Sequence, residues 1–138
     1  VGHVFPSQPW VENLIEVLNT DTRYAEIARN WEADLVFVIE PDKAADPGEK
    51  PSRIYLDLWH GKCRGGRLME VSEEIPTSSY VLSAPRSNFL KILSGELDAM
   101  QAMLTRKLRV EGSMAYMLRN VPTVLDFVRC ARKVEIAA

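Results

Sequence analysis

The spacing of apolar residues divides the chain into helical and extended stretches. From Ser7 onward Trp10, Leu14, Val17 and Leu18 recur at helical intervals, and Val11 and Ile15 widen the stripe, so the pattern predicts a helix ending near Asn19. Thr20 or Asp21 is placed to cap a second helix with Tyr24, Ile27, Ala28 and Trp31 on one side. Leu35 to Ile39 is a short apolar run of branched and aromatic residues, which suits a strand covered on both faces. Pro41 to Ser52, charged and broken by prolines, reads as an exposed connection. Ile54, Leu56 and Leu58 then alternate with Tyr55, Asp57 and Trp59 as a second strand. The glycine-rich GKCRGG is expected to turn the chain into a short third strand at Leu68 to Val71, completing an antiparallel meander.

Ser79 to Ala84 gives a fourth strand stopped by Pro85, after which Phe89, Ile92 and Leu93 line a helix that Gly95 closes in a left-handed cap. Asp98 suits the N-cap of the next helix, in which Met100, Met103 and Leu104 share a face. Leu108, Val110 and Gly112 alternate with Arg109 and Glu111 as a fifth strand. The helical crossover of about two dozen residues before it is long enough to set the fourth and fifth strands parallel, with a right-handed connection. Met114, Met117, Leu118 and Val121 make a further helical face. Pro122 predicts a break, since proline inside a helix costs about 3 kcal/mol. A last helix then presents Leu125, Val128 and Ala131 inward and carries Arg129, Arg132 and Lys133 near its end. With a proline hinge and attachment from one end only, this helix is expected to act as a movable cover.

Residues 1–138 are enough for one α+β domain, and an apolar share of 46% against 26% charged residues supports an ordinary globular core. A formal net charge of −2 gives no electrostatic basis for binding nucleic acid. Cys63 and Cys130 stand far apart without a C-x-x-C partner and read as free thiols in a reducing compartment. The opening VGHVFPSQPW has neither the basic flank nor the apolar run of a leader, and no run of eighteen apolar residues occurs, so the expected location is cytoplasmic.

Little here points to catalysis. His60 and Cys63 form an H-x-x-C spacing that no second pair completes into a metal site, His3 stands alone, and no G-x-S-x-G elbow is present. No catalytic residue, metal or cofactor is therefore expected. Lys62, Arg64 and Arg67 in the glycine-rich loop, and Arg106, Lys107 and Arg109 further on, could meet an anionic headgroup or simply be solvated. More distinctive is the stretch from Ser87 to Leu118, which holds four of the five methionines. Unbranched thioethers bend around irregular shapes, so the cluster suits a pocket for an apolar ligand, although helical apolar faces also simply pack a core.

Within that stretch, NFLKILSGELDAMQAMLTRKLRVEGSMAYML resembles the signature half of the sterol carrier protein 2 family, the SCP2-like lipid-binding domains. A helix ending in glycine (Phe89 to Gly95), a short helix with Gln101, a strand of the type K-L-x-I/V-x-G (Lys107 to Gly112) and an amphipathic helix from Met114 follow in the family's order. The resemblance implies a five-stranded mixed sheet with helices mainly on one face, enclosing an apolar tunnel for fatty acyl chains, acyl-CoA, sterols or related lipids, and no reaction. It also implies that Gln101 faces the tunnel and meets a ligand's polar part. Combined with the periodicity, the expected lining is Trp31, Phe89, Leu93, Met100, Gln101 and Met103, together with Leu104, Met114, Met117, Leu118, Val121 and Leu125. Two positions depart from the family: Arg106 stands where a glycine is common, and Thr105 where a second glutamine is common. The ending Glu135-Ile136-Ala137-Ala138 lacks the S-K-L tail of some relatives. Expected partners are a lipid or other apolar small molecule, with transient membrane contact and a homodimer both compatible. One alternative is an interaction or accessory domain in lipid, quinone or aromatic metabolism, its cavity filled by its own Trp31, Trp59 and methionines. A second is an enzyme using His60 and Cys63.

Overall fold

Ser7 starts the first helix, α1 (Gln8–Thr20): its hydroxyl accepts the Trp10 amide at 3.2 Å, and Pro9 sits in the first turn, where a backbone donor would have no helical partner. Asp21 ends α1 and caps α2 (Thr22–Ile27), accepting the Tyr24 amide at 2.8 Å. Trp31 lies beyond the end of α2, in the turns that lead to the sheet. The computed structural model describes residues 2–42, 48–77 and 80–137. Ser79 and the middle of the Pro41–Ser52 connection therefore lie outside the described residues.

The strands β1 (Leu35–Glu40), β2 (Ser52–Trp59), β3 (Lys62–Leu68), β4 (Tyr80–Pro85) and β5 (Arg109–Glu111) form one sheet in the order β3-β2-β1-β4-β5. β1 is antiparallel to β2 and parallel to β4, so the sheet is mixed, as expected. Two expectations about it fail. The third strand is Lys62–Leu68 and not Leu68 to Val71; the turn shrinks to His60 and Gly61, at φ 50° and 79°, and most of GKCRGG is itself strand. Gly66 serves close approach: a Cβ there would stand 2.7 Å from Leu56 Cδ2 and 3.3 Å from Ile15 Cδ1 of α1. Second, β5 runs antiparallel to β4, pairing Val81 with Glu111 and Ser83 with Arg109. The excursion between them, α3 (Arg86–Ser94) and α4 (Ala99–Leu104), is long enough for either direction, and left-handed residues at Gly95 (φ 86°) and Arg106 (φ 60°) turn it.

α5 (Met114–Arg119) begins where Ser113 Oγ accepts the Tyr116 amide at 3.2 Å, and Asn120 separates it from α6 (Val121–Ala131). The expected break is thus present, and Pro122 falls in the first turn of α6, where it costs no hydrogen bond. The inner face of α6 differs from the prediction. Thr123, Asp126, Cys130 and Ala131 are buried, with Val124, Phe127 and Val128 packed on the core, while Leu125 points outward. Nor is α6 attached from one end. Arg129 donates to Asp126 at 2.8 and 3.1 Å and to Asp21 at 2.7 Å, Lys133 reaches Asp21 at 2.7 Å, and Arg132 donates to the Ile92 carbonyl at 2.9 Å. Just beyond the helix, the His3 amide donates to Glu135 O at 2.9 Å and the Ala137 amide to His3 O at 2.8 Å, tying the two ends of the chain together.

Candidate ligand-binding cavity

Between the sheet and the helices lies an apolar cavity. The space open to the centre of a water-sized sphere is about 80 Å³. One water needs about 10–15 Å³ on that measure, so several apolar atoms fit without displacing the wall. β1 supplies Leu35 and Phe37, two residues apart and therefore on one face; β2 supplies Ile54 and Leu58, and β4 supplies Leu82. Opposite them stand Trp10 of α1, Phe89 and Ile92 of α3, Met103 of α4 and Met117 of α5. Val124, Phe127, Val128 and Ala131 of α6 complete the roof.

The wall presents no polar surface. Its polar groups are turned away or occupied: Trp31 Nε1 donates to Ala33 O at 2.7 Å, and Thr123 Oγ1 donates to Ile27 O at 3.2 Å. Burial pushes the Tyr24 hydroxyl well above the usual phenol range, so it stays neutral. Among the described residues Trp10 Nε1 is the one buried side-chain polar atom without a hydrogen-bond partner. The hollow persists because rings hold the layers apart. Phe37 meets Phe89 edge-on at 5.8 Å and stacks with Phe127 at 5.9 Å, and Phe5 stands edge-on to Trp10 at 4.8 Å. Such flat, rigid groups meet along edges and faces and leave gaps that a flexible chain would fill.

Residues 12–124 match the sequence profile of the SCP-2 sterol transfer family. The chain belongs to that family. Among curated proteins no sequence matches it. Among solved structures, this SCP-2 domain is similar to a crystal structure of sterol carrier protein 2, with 29% identity, a TM-score of 0.82, and coverage of 93% of this chain and 97% of the other. It is likewise similar to a conserved hypothetical protein from Thermus thermophilus, possibly a sterol carrier protein, with 26% identity, a TM-score of 0.84, and coverage of 99% and 93%. The fold also matches sterol carrier protein 2 from Aedes aegypti, solved in complex with palmitate, at 17% identity, a TM-score of 0.51, and coverage of 88% and 96%.

Of the lining expected from sequence, the SCP-2 domain places Trp31, Phe89, Leu93, Met103 and Met117 in the cavity wall. Met100 and Val121 are half-buried outside it, and Gln101 is exposed on α4. Leu104, Met114, Leu118 and Leu125 are also outside the wall, with exposures of 74%, 41%, 56% and 44%. On helices as short as α4 and α5 one step along the chain turns a side chain by about 100°, which is enough to move it from the wall to solvent. Phe5, Trp10, Tyr24, Phe37, Val124 and Phe127 line the cavity although the sequence pattern does not single them out for it. For α6 a signal exists: Val124, Phe127, Val128 and Ala131 have the i, i+3, i+4, i+7 spacing of an inner stripe.

The other candidates for chemistry are engaged elsewhere. His60 Nε2 and Glu32 Oε2 are 2.6 Å apart, whereas Cys63 Sγ donates to Gly65 O at 3.3 Å, so His60 and Cys63 do not pair with each other. Burial pushes both thiols up to about 11, far from the reactive thiolate range. Arg64 pairs with Asp57 at 3.1 Å and Arg67 with Glu73, which occupies these two cations of the glycine-rich strand. Asp21, Asp126 and Cys130 could each offer an atom to a metal, all within 4.8 Å. Arg129 bridges the two carboxylates instead, and with Lys133 and the Tyr24 amide it holds the Asp21 carboxyl far below its ordinary value.

Proposed function

We propose that this SCP-2 domain, residues 1–138 acting as one unit, takes up a single lipid-like apolar molecule in the cavity and passes it on without chemical change. The wholly apolar hollow between sheet and roof carries the reading. The similarity to sterol carrier protein 2 and the palmitate held by the Aedes aegypti protein support it. Trp31, Phe89, Leu93, Met103 and Met117 are the proposed contacts. A longer chain enters by rotation of Leu93, Met103 and Met117, whose side chains adapt more readily than the surrounding rings. Each methylene moved from water into such a wall gains about 0.8 kcal/mol, and a bilayer offers the same chain nearly as much. The small difference between the two favours exchange. The free, buried thiols suit a reducing, cytoplasmic setting.

The modest free volume also supports the reading of an interaction domain whose interior is filled by its own rings. Native mass spectrometry after incubation with palmitate and with cholesterol separates the two readings. A one-to-one adduct with either supports the carrier, and a clean protein mass with no uptake of both overturns it.

A further inference from the structure

A polar cleft lies beside the apolar cavity. It is bounded by residues 4–6, the end of β1, Glu49, Lys50 and Ser52, and by Arg86 at the start of α3, and it holds about 230 Å³ on the measure used for the cavity. Val4, Glu49 and Lys50 are exposed, so the cleft is open to water. Phe5 is the one described residue that lines both spaces, and at 2% exposure its ring is the partition between them. The backbone around it is fastened. The His3 amide donates to Glu135 O, Ser7 Oγ donates to Val4 O at 2.5 Å, and Arg86 Nε donates to the Phe5 carbonyl at 2.8 Å. What can swing is therefore the Phe5 side chain, about a backbone that stays in place.

Two unspent donors flank that ring. Trp10, against which Phe5 stands edge-on, keeps Nε1 closed off from water and without an acceptor. Buried donors are nearly always paired, so an open one marks a position where an acceptor gains more than it would in water. Arg86 is half-buried and forms no ion pair among the described residues. Asp42, near enough for its carboxylate to feel Arg86, is held by Ser87, whose amide donates to it at 3.0 Å. Of the other charges at the cleft, Glu40 is taken by Arg109, and Glu49 and Lys50 are adjacent and of opposite sign. The charge left over beside Phe5 is the positive one of Arg86.

We propose that the cleft is the mouth of the cavity and the seat of its ligand's head: Phe5 turns aside to admit the chain, Trp10 Nε1 donates to an oxygen of the head, and the Arg86 guanidinium faces its negative charge. The class of ligand this fits is an alkyl chain ending in an acceptor oxygen, with a carboxylate preferred to an uncharged ester carbonyl. An apolar wall with a few polar groups at one end fixes which way round such a molecule lies. The inference rests on the cavity's being a lipid site.

The test compares decanoate, methyl decanoate and decane as displacers of a fluorescent fatty acid from the full chain. The parent should prefer decanoate to methyl decanoate and methyl decanoate to decane. Arg86→Met should cut the first preference by about tenfold, and Trp10→Phe the second by about fivefold. Ratios between probes cancel any general loosening of the wall. Arg119→Gln, at an exposed cation away from the cleft, should leave both ratios unchanged. Phe5→Ala should speed both uptake and release by about tenfold in stopped flow. A measurement on the parent needs no variant to fold: the Trp10 indole proton resonance should shift on adding decanoate or methyl decanoate. The proposal falls if that resonance stays in place while decanoate binds, if neither substitution moves its ratio, or if Phe5→Ala leaves the rates as they were. Equal uptake of all three probes overturns the head site alone, and uptake of none overturns the cavity reading beneath it.

Discussion

Two ends of one layer are built from different kinds of side chain. Where α1 lies over β3, Val11, Leu14 and Leu18 are fully buried, and Gly66 lets the helix settle onto the strand. Where α3 and α6 face β1, Phe37, Phe89 and Phe127 meet ring to ring and leave a hollow. Branched aliphatic chains interdigitate until dispersion contacts are satisfied on every side, whereas rings propped against one another forfeit some of theirs. The first end supplies stability, and the second forgoes part of it for room.

The strongest way to break this contrast is to cut into the solid end. Leu14→Ala should cost about 3–4 kcal/mol in urea unfolding, and a loss below about 1.5 kcal/mol would mean that this end is loosely packed too. Overfilling it should also hurt: Gly66→Val drives a side chain into Leu56 and Ile15 and should cost about 2–3 kcal/mol. Next comes the clamp that fastens α6 over the hollow. Arg129→Met leaves the buried Asp126 with only the largely exposed Arg23 and should cost about 2 kcal/mol.

The clamp has a pH signature. Because its cationic partners lower the folded-state pKa of Asp21, its contribution is complete above the ordinary value of 3.8 and fades as pH falls below it. Arg129→Met should flatten that acid limb, as read by thermal midpoints across an acid titration. Filling the hollow should do the least to the fold: Val128→Phe should shift stability by less than about 1 kcal/mol while abolishing uptake of a fluorescent fatty acid. The two thiols report on the two ends separately. Cys63 lies in β3 and Cys130 in α6, both held near 11 by burial. Pulsed alkylation under native conditions should modify Cys130 before Cys63, and equal rates would show that the layer opens as a whole.

Most helices and the antiparallel β1–β2 pair are legible in the sequence because each follows one strong local rule, whereas the parallel β1–β4 pair joins strands distant in sequence. Capping by Asp21 and Asp98, closure at Gly95 and the break before Pro122 depend on groups a few residues apart. β3 escapes such rules because glycine ordinarily argues for a turn, and the reason for Gly66 in a strand is a helix distant in sequence. The direction of β5 depends on how α3 and α4 are oriented, which no local pattern encodes. The cavity is harder still. Methionine content points to the right helices, yet Met114 faces solvent and the rings that hold the space open, Phe37 and Phe127, come from elements outside the methionine stretch.

The bridge between His3 and Ile136 brings the beginning and end of the chain side by side. Polypeptide attached at either end therefore departs from the same corner. A host protein could carry this unit as an insert between two adjacent residues with little added loop-closure entropy, and a short peptide joining the ends would yield a circular variant with its interior undisturbed.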